Sequence, residues 1–340
     1  MSLSAAIRDR DVTELPGKRD EDWRWTDLRG LVRILPPPSG EVQVSDAGPF
    51  DALARDVRTV VNGRGATPIV VEAKRTATVA LRLVSRGAGS HAATVKIAVG
   101  ANAGLLLLET YESDGGSLAQ MALNITLEPG ATVERIVLAQ DDAEAISVSE
   151  AEVTLAPTAV FNQTVVASGA RRQRIETHVL HPGGSAELRL DGIYLLADKR
   201  HSDQTTVVTH AGTDGVTVQL AKGVVRDQAR GVFQGRIVVE EGADRTDARM
   251  GHHALILSDR AEVDAKPELE IYADDVACAH GNSVGALDED ALFYARQRGM
   301  PEAEARALLT EAFIGEVVDR IGHEGAREVV RAWAAERLRA

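Results

Sequence analysis

One thiol and one imidazole, two residues apart, hold most of the chemistry this sequence offers. Cys278, the single cysteine among 340 residues, precedes His280 by two positions in "YADDVACAHGNSVG", just after Asp274 and Asp275. Alternate side chains of an extended segment share a face, so Glu270, Tyr272, Asp274, Val276, Cys278 and His280 fall together, with Leu269, Ile271 and Ala273 opposite. With the aliphatic triplet facing a core, thiol, imidazole and carboxylate point away from it. A thiolate and an imidazole suit zinc, or iron in a sulfur-rich setting. Two donors cannot close a tetrahedral site and the chain has no second thiol, so another protein or a second copy must complete it. Taken alone the C-x-H spacing is a weak motif. Its simpler reading is a cysteine packing as a small hydrophobe beside a histidine satisfied by carboxylates.

The other histidines offer less. His252 and His253 are adjacent and face opposite sides of any strand, which makes each structural. His178 and His181 flank a turn in "THVLHPGG", a stretch that holds no confirming carboxylate or cysteine, which reads as surface loop; His201 and His210 are weaker still. No phosphate loop, G-x-S-x-G elbow or H-E-x-x-H helix occurs, and nothing singles out a carboxylate pair for glycoside hydrolysis.

What must position these residues is a chain with 51 acidic against 38 basic side chains and a net charge of −13, which disfavours nucleic acid and polybasic membrane contact. The first residues contain no apolar signal region, no run approaches a bilayer span, and one cysteine suits a reducing compartment, so the expected location is cytoplasmic. Aromatic residues make up 4%, leaving small and branched aliphatics to fill the core.

Residues 1–40 form a polar, helix-compatible leader carrying Trp23 and Trp25 and ending at "LPPPSG". From about 41 to 286 the texture is short runs of Val, Ile, Leu and Thr broken by Gly, Pro, Asn and Asp, without helical periodicity. "GANAGLLLLETY", "EPGATVERIVLA" and "APTAVFNQTVVA" superpose with Ala103, Ala131 and Ala159 in register at two equal steps of 28, and "HPGGSAELRLDG", "QARGVFQGRIVV" and "SDRAEVDAKPELEI" are looser echoes. A turn, a small residue and alternating aliphatics are what one coil of a β-solenoid needs; a β-sandwich is the competing architecture. Residues 287–340 then predict three helices. The first is capped by Asp288 and closed by Gly299, and the second carries Ala305, Leu308, Leu309, Phe313, Val317, Val318 and Ile321 on one face. Such short helices must cap the solenoid end, pack on each other or dock a partner.

"KPELEIYADDVACAHGNSVGALDEDALFYARQRGMPEAEARALLTEAFIGEVV", residues 266–318, closely resembles the C-terminal signature of the SufB/SufD family of iron-sulfur cluster assembly scaffolds, and "LPGKRDEDWRWTDLRGL" resembles its N-terminal motif. The lone cysteine is unlike the SufB branch, whose members carry several. The resemblance implies a mainly β chain, a right-handed parallel β-helix with helical ends and no catalysis of its own. It further implies pairing with a SufB-like subunit through the β-helix, and docking of a SufC-like ATPase on the C-terminal helices, represented here by Leu308, Leu309, Phe313 and Val317. Iron or a nascent cluster would be shared at the subunit interface by His280, with Cys278 beside it, and no cofactor would be held tightly by this chain alone. A homodimer is the alternative assembly for the isolated chain. Ala277, Ala279 and Asn282 depart from the residues most expected around the motif. Rival readings from other classes are a solenoid enzyme acting on polysaccharide and a self-assembling structural solenoid.

Overall fold

The computed structural model describes residues 3–339. Among them seventeen strands, from Asp56–Val61 to Ala277–Gly285, alternate between two all-parallel sheets of nine and eight strands. Each strand inside a sheet pairs with the strand two before it and the strand two after it, so the chain winds as a parallel solenoid of about eight turns.

The corners explain the repeat. Asn102, Gly130, Thr158, Ser185, Asp214 and Arg245 all have positive φ, and each stands one residue before a small, buried corner residue: Ala103, Ala131, Ala159, Ala186, Gly215 and Thr246. The left-handed residue turns the chain sharply, and the small side chain lets successive corners stack closely. Their carbonyls continue the ladder across the corner: Thr132 N–H donates to Ala103 O at 2.8 Å, Val160 to Ala131 and Glu187 to Ala159, both at 2.9 Å. "HPGGSAELRLDG" is the next coil at this corner, as its alignment predicts. "QARGVFQGRIVV" and "SDRAEVDAKPELEI" instead belong to the other sheet, where Ala229 and Ala261 precede the strands Arg230–Val239 and Glu262–Ile271. Both corners of a flattened coil need a small residue, so sequence similarity alone does not separate them.

Inward side chains of the two sheets form one apolar core, from Val60 and Ile69 through Leu107, Leu123 and Phe161 to Ile237 and Met250. Set into it is an ion pair with no solvent contact. Arg135 donates from Nε and Nη2 to both carboxylate oxygens of Glu109 at 2.8 Å, and from Nη1 to Gln163 Oε1 at 2.6 Å. Glu109→Gln keeps the shape but strands the guanidinium, which is expected to cost about 3–5 kcal/mol in denaturant unfolding. Replacing both partners together, Glu109→Leu with Arg135→Met, should recover most of that loss.

The outer faces are covered differently. Leader residues Leu3, Ala6, Leu15, Leu28, Val32 and Leu35 pack on Leu118, Ile146 and Val148 of the eight-stranded sheet. Further along that sheet, Trp23 stacks on Arg174 at 4.4 Å and Thr26 Oγ1 donates to Asp203 at 2.5 Å. Helices Glu289–Gln297, Glu302–Val318 and Glu324–Arg339 follow the last strand. Asp288 caps the first by accepting from the Asp290 and Ala291 amides, and Gly299 takes positive φ after it, as the sequence predicts. The other two do not cap the solenoid end. Ile314, Val317, Val318, Ile321, Val330 and Trp333 lie against Leu138, Val166, Ile193, Leu195 and Val224 on the side of the nine-stranded sheet.

Candidate functional site

With its flanks occupied by leader and helices, the solenoid is left bare where it ends. Glu262–Ile271 and Ala277–Gly285 are the terminal strands of the two sheets, each hydrogen-bonded to a neighbour on one side only among the described residues. Every such edge presents unpaired N–H and C=O groups in the geometry that accepts another strand. Pro267 is tolerated in the first of them because an edge strand has N–H groups that need no partner.

The segment does not run as one strand through the aspartates. Tyr272–Val276 is a corner, and it resets the alternation, so the face predicted from Glu270 does not continue to His280. In the register of the last strand Cys278 stands beside Ala248, His280 beside Met250 and Asn282 beside His252. Ala248, Met250 and His252 all face the core and are buried. Cys278 packs on that same core, and Asn282 Oδ1 lies 2.7 Å from His252 Nδ1. Cys278, His280 and Asn282 therefore occupy inward positions, which corrects the expectation that the thiol and imidazole point away from the core. His280 is exposed because no further coil covers it.

This geometry sorts the donors. Burial pushes the Cys278 thiol above its usual range, with the Asp247 charge adding to the effect, so it is not a poised nucleophile. Beneath Asn282, burial lowers His252 to about 4, which keeps the ring neutral. Its Nδ1–H then donates to Asn282, and its Nε2 accepts from Tyr194 O–H at 2.8 Å, while Phe233 stacks on the ring at 4.6 Å. The departure at position 282 thus has a structural reason: an amide oxygen satisfies a buried imidazole and fixes its tautomer. His253 faces the other way and meets Ser283 Oγ at 2.7 Å. Among the described residues no third histidine, cysteine or carboxylate converges on Cys278 and His280.

The helix residues divide. Val317 is fully buried against the chain's own sheet, so it cannot meet a partner, contrary to its sequence assignment. Phe313 packs on the same cluster and lies under Lys222 Nζ at 4.5 Å, and Leu309 is half-buried. Leu308 is 50% exposed, and Phe293 and Tyr294 on the preceding helix are 63% and 61% exposed. The buried stripe keeps Ala305, Val317 and Val318 of the predicted face and adds Thr310 and Ile314, which turns Leu308 outward.

His178 and His181 are not in a surface loop. Both lie on Arg172–His181, with His181 buried and stacked on His210 at 4.4 Å, while His178 meets Glu176 of its own strand and Glu150 and Glu152 of the preceding coil.

Comparison with known proteins fits this architecture. A family model described as SUF system FeS cluster assembly, SufBD core domain, matches residues 81–313. The iron-sulfur cluster assembly protein SufD of Escherichia coli is 30% identical over 243 residues, covering 71% of this chain and 57% of that protein. A SufBD family protein of Synechocystis is 30% identical over 197 residues, 58% of this chain and 44% of its own length. A SufBD family protein of Mycobacterium tuberculosis H37Rv is 26% identical over 361 aligned positions, covering 95% and 89%. The first two matches thus span about half the length of those relatives. With a solenoid of the expected kind and most of its length matched, the chain belongs to the SufB/SufD family of iron-sulfur cluster assembly proteins.

Proposed function

We propose that this chain is a SufD-like, non-catalytic subunit of an iron-sulfur cluster assembly scaffold. Through the open end of its solenoid it pairs with a SufB-like subunit, and through its C-terminal helices it binds a SufC-like ATPase. Iron or a nascent cluster is the cargo, held between subunits with His280 as this chain's ligand and Cys278 as a supporting or second donor. The observation that carries the reading is the exposed His280 at an inward position of an uncovered coil, next to two unpaired strand edges. A neighbouring solenoid docking there would extend both sheets and cover the imidazole in the same step. An incomplete donor pair is then half of a site whose other ligands arrive with the partner. Among the described residues no helix is long and apolar enough to cross a membrane. A cytoplasmic location follows from the proposed role.

Two surface substitutions separate the two contacts. Val284, 43% exposed on the last strand, is replaced by Lys to put a charge at the open end; Leu308→Asp does the same on the helix surface. In co-expression with SufB-like and SufC-like subunits, Val284→Lys is expected to cut recovery of the SufB-like subunit at least tenfold while the ATPase still binds. Leu308→Asp is expected to do the reverse. Equal recovery of both partners with either variant would refute the assignment of the surfaces. Removing the last two helices is a poor test, since it would bare Leu138, Val166, Ile193 and Leu195.

A further inference from the structure

The outer face of the eight-stranded sheet carries a second cluster of donors, remote in sequence from Cys278 and His280. On Ile146–Leu155 the side chains of Glu150 and Glu152 point outward, and on the next coil Glu176 and His178 stand beside them in register. One ligand atom each from Glu150, Glu152 and His178 lies within 4.8 Å of the others. We propose that Glu150, Glu152 and His178 bind one divalent first-row transition ion, with Mn2+ the best match to two carboxylates and one imidazole.

Three features distinguish this cluster from an ordinary acidic patch. The first is charge. Arg174, the nearest buried cation, is spent on Glu176 at 2.7 Å and Asp203 at 2.8 Å, and neither Glu150 nor Glu152 has a Lys or Arg ion pair among the described residues. The second is a buried amide against the cluster that has one atom to spare. Gln120 is 4% exposed; its Nε2 donates to Glu150 Oε2 at 3.1 Å, while its Oε1 is buried without a hydrogen-bond partner. Turning that amide over on arrival of a cation would exchange the nitrogen for the oxygen and offer a further ligand to a hard or borderline ion. The third is the arrangement behind the imidazole. His178 Nε2 meets Glu176 Oε1 at 2.7 Å, and that carboxylate is itself anchored by Arg174. A histidine that gives one ring N–H to a fixed carboxylate presents its other nitrogen as a lone pair, which is how metal-ligating histidines are usually oriented. A dication would neutralise the two unpaired carboxylates, and the absence of a thiolate disfavours soft ions such as Cu(I).

The test is titration of the purified full-length chain with Mn2+, followed by electron paramagnetic resonance of the free ion, for the parent, Glu152→Gln, His178→Gln and the Cys278→Ser/His280→Ala double variant. Glu152 is exposed and His178 half-exposed, so neither substitution should unfold the chain, and thermal melts verify that. The expected result is one bound ion per chain in the parent and the double variant, with at least tenfold weaker binding in Glu152→Gln and in His178→Gln. No saturable Mn2+ binding by the folded parent, or binding lost only in the double variant, or binding equal in all four, would overturn the proposal. The outcome is independent of the role of His280, because the double variant is compared in the same series.

Discussion

Lowering the pH from 7 to 5 is expected to remove on the order of 5 kcal/mol of the isolated chain's stability, most of what a typical domain has. Five buried histidines are responsible, His181, which burial also lowers, among them. Burial pushes His91, His201 and His252 down to about 4, and His210 to about 3, from an ordinary value of 6.5. The folded chain therefore refuses protons that the unfolded chain accepts. The stability that depends on these neutral rings is complete above pH 6.5 and is lost as the pH falls toward 4, at roughly 2 kcal/mol for each ring by pH 5. Four groups act in the opposite direction. Burial raises Asp191 to about 6 and also raises Asp141 and Glu150, so the folded state takes up those protons first, and Glu176 raises His178, which favours the folded state as the pH falls. These offset part of the loss and leave its sign unchanged. Urea midpoints measured at pH 7 and pH 5 check it: a large drop with unchanged slope is expected, whereas equal midpoints would mean that the buried rings charge without penalty.

The second large effect concerns cargo instead of stability. His280→Ala is expected to lower cluster formation by the assembled complex at least tenfold while leaving the chain's melting temperature and partner binding unchanged. The side chain is exposed at the end of the inward column, so its loss opens no cavity in this chain. Removing an imidazole donor from a shared site removes a bond that water replaces poorly. Cys278→Ala should be milder, because the thiol packs against the core and burial holds it in its protonated form. His280→Cys, which restores a soft donor at the same position, should recover part of the yield. If Cys278→Ala proved more damaging than His280→Ala, the roles given to the two residues would have to be exchanged.

Much of this architecture is legible in the sequence because a solenoid repeats its constraints. Ala103, Ala131 and Ala159 announce the coil, since a stacked corner admits only a small side chain. The corner fades later because Gly215 and Thr246 fill the same place without being alanine. Cys278 and His280 stand out in the sequence by residue type, but alternation counted from Glu270 puts them on the wrong side of their strand. Periodicity of two is reliable only within one strand, and the corner at Tyr272–Val276 breaks the count. The caps of the first helix, Asp288 and Gly299, are legible, whereas for the second helix amphipathic spacing gives a stripe but not which edge of it meets the sheet. Leu308 and Val317, assigned together to one docking face, consequently part, one exposed and the other buried. Most instructive is His178. Its sequence neighbourhood offers no carboxylate four residues either way except Glu176, while Glu150 and Glu152 come from the previous coil. Contacts between coils join residues nearly thirty positions apart, and only knowledge of the register makes them visible.

The claim on which the account rests is that this chain supplies a nitrogen ligand at the open end of its solenoid to iron shared with a partner. It can be tested by labelling this chain alone with 15N-histidine, reassembling it with SufB-like and SufC-like subunits, loading iron and sulfide, and recording pulsed electron paramagnetic resonance of the reduced cluster. A 15N coupling from a directly bound imidazole, absent in the His280→Ala complex, is the predicted result; a cluster formed at full yield with no such coupling in the parent would contradict it.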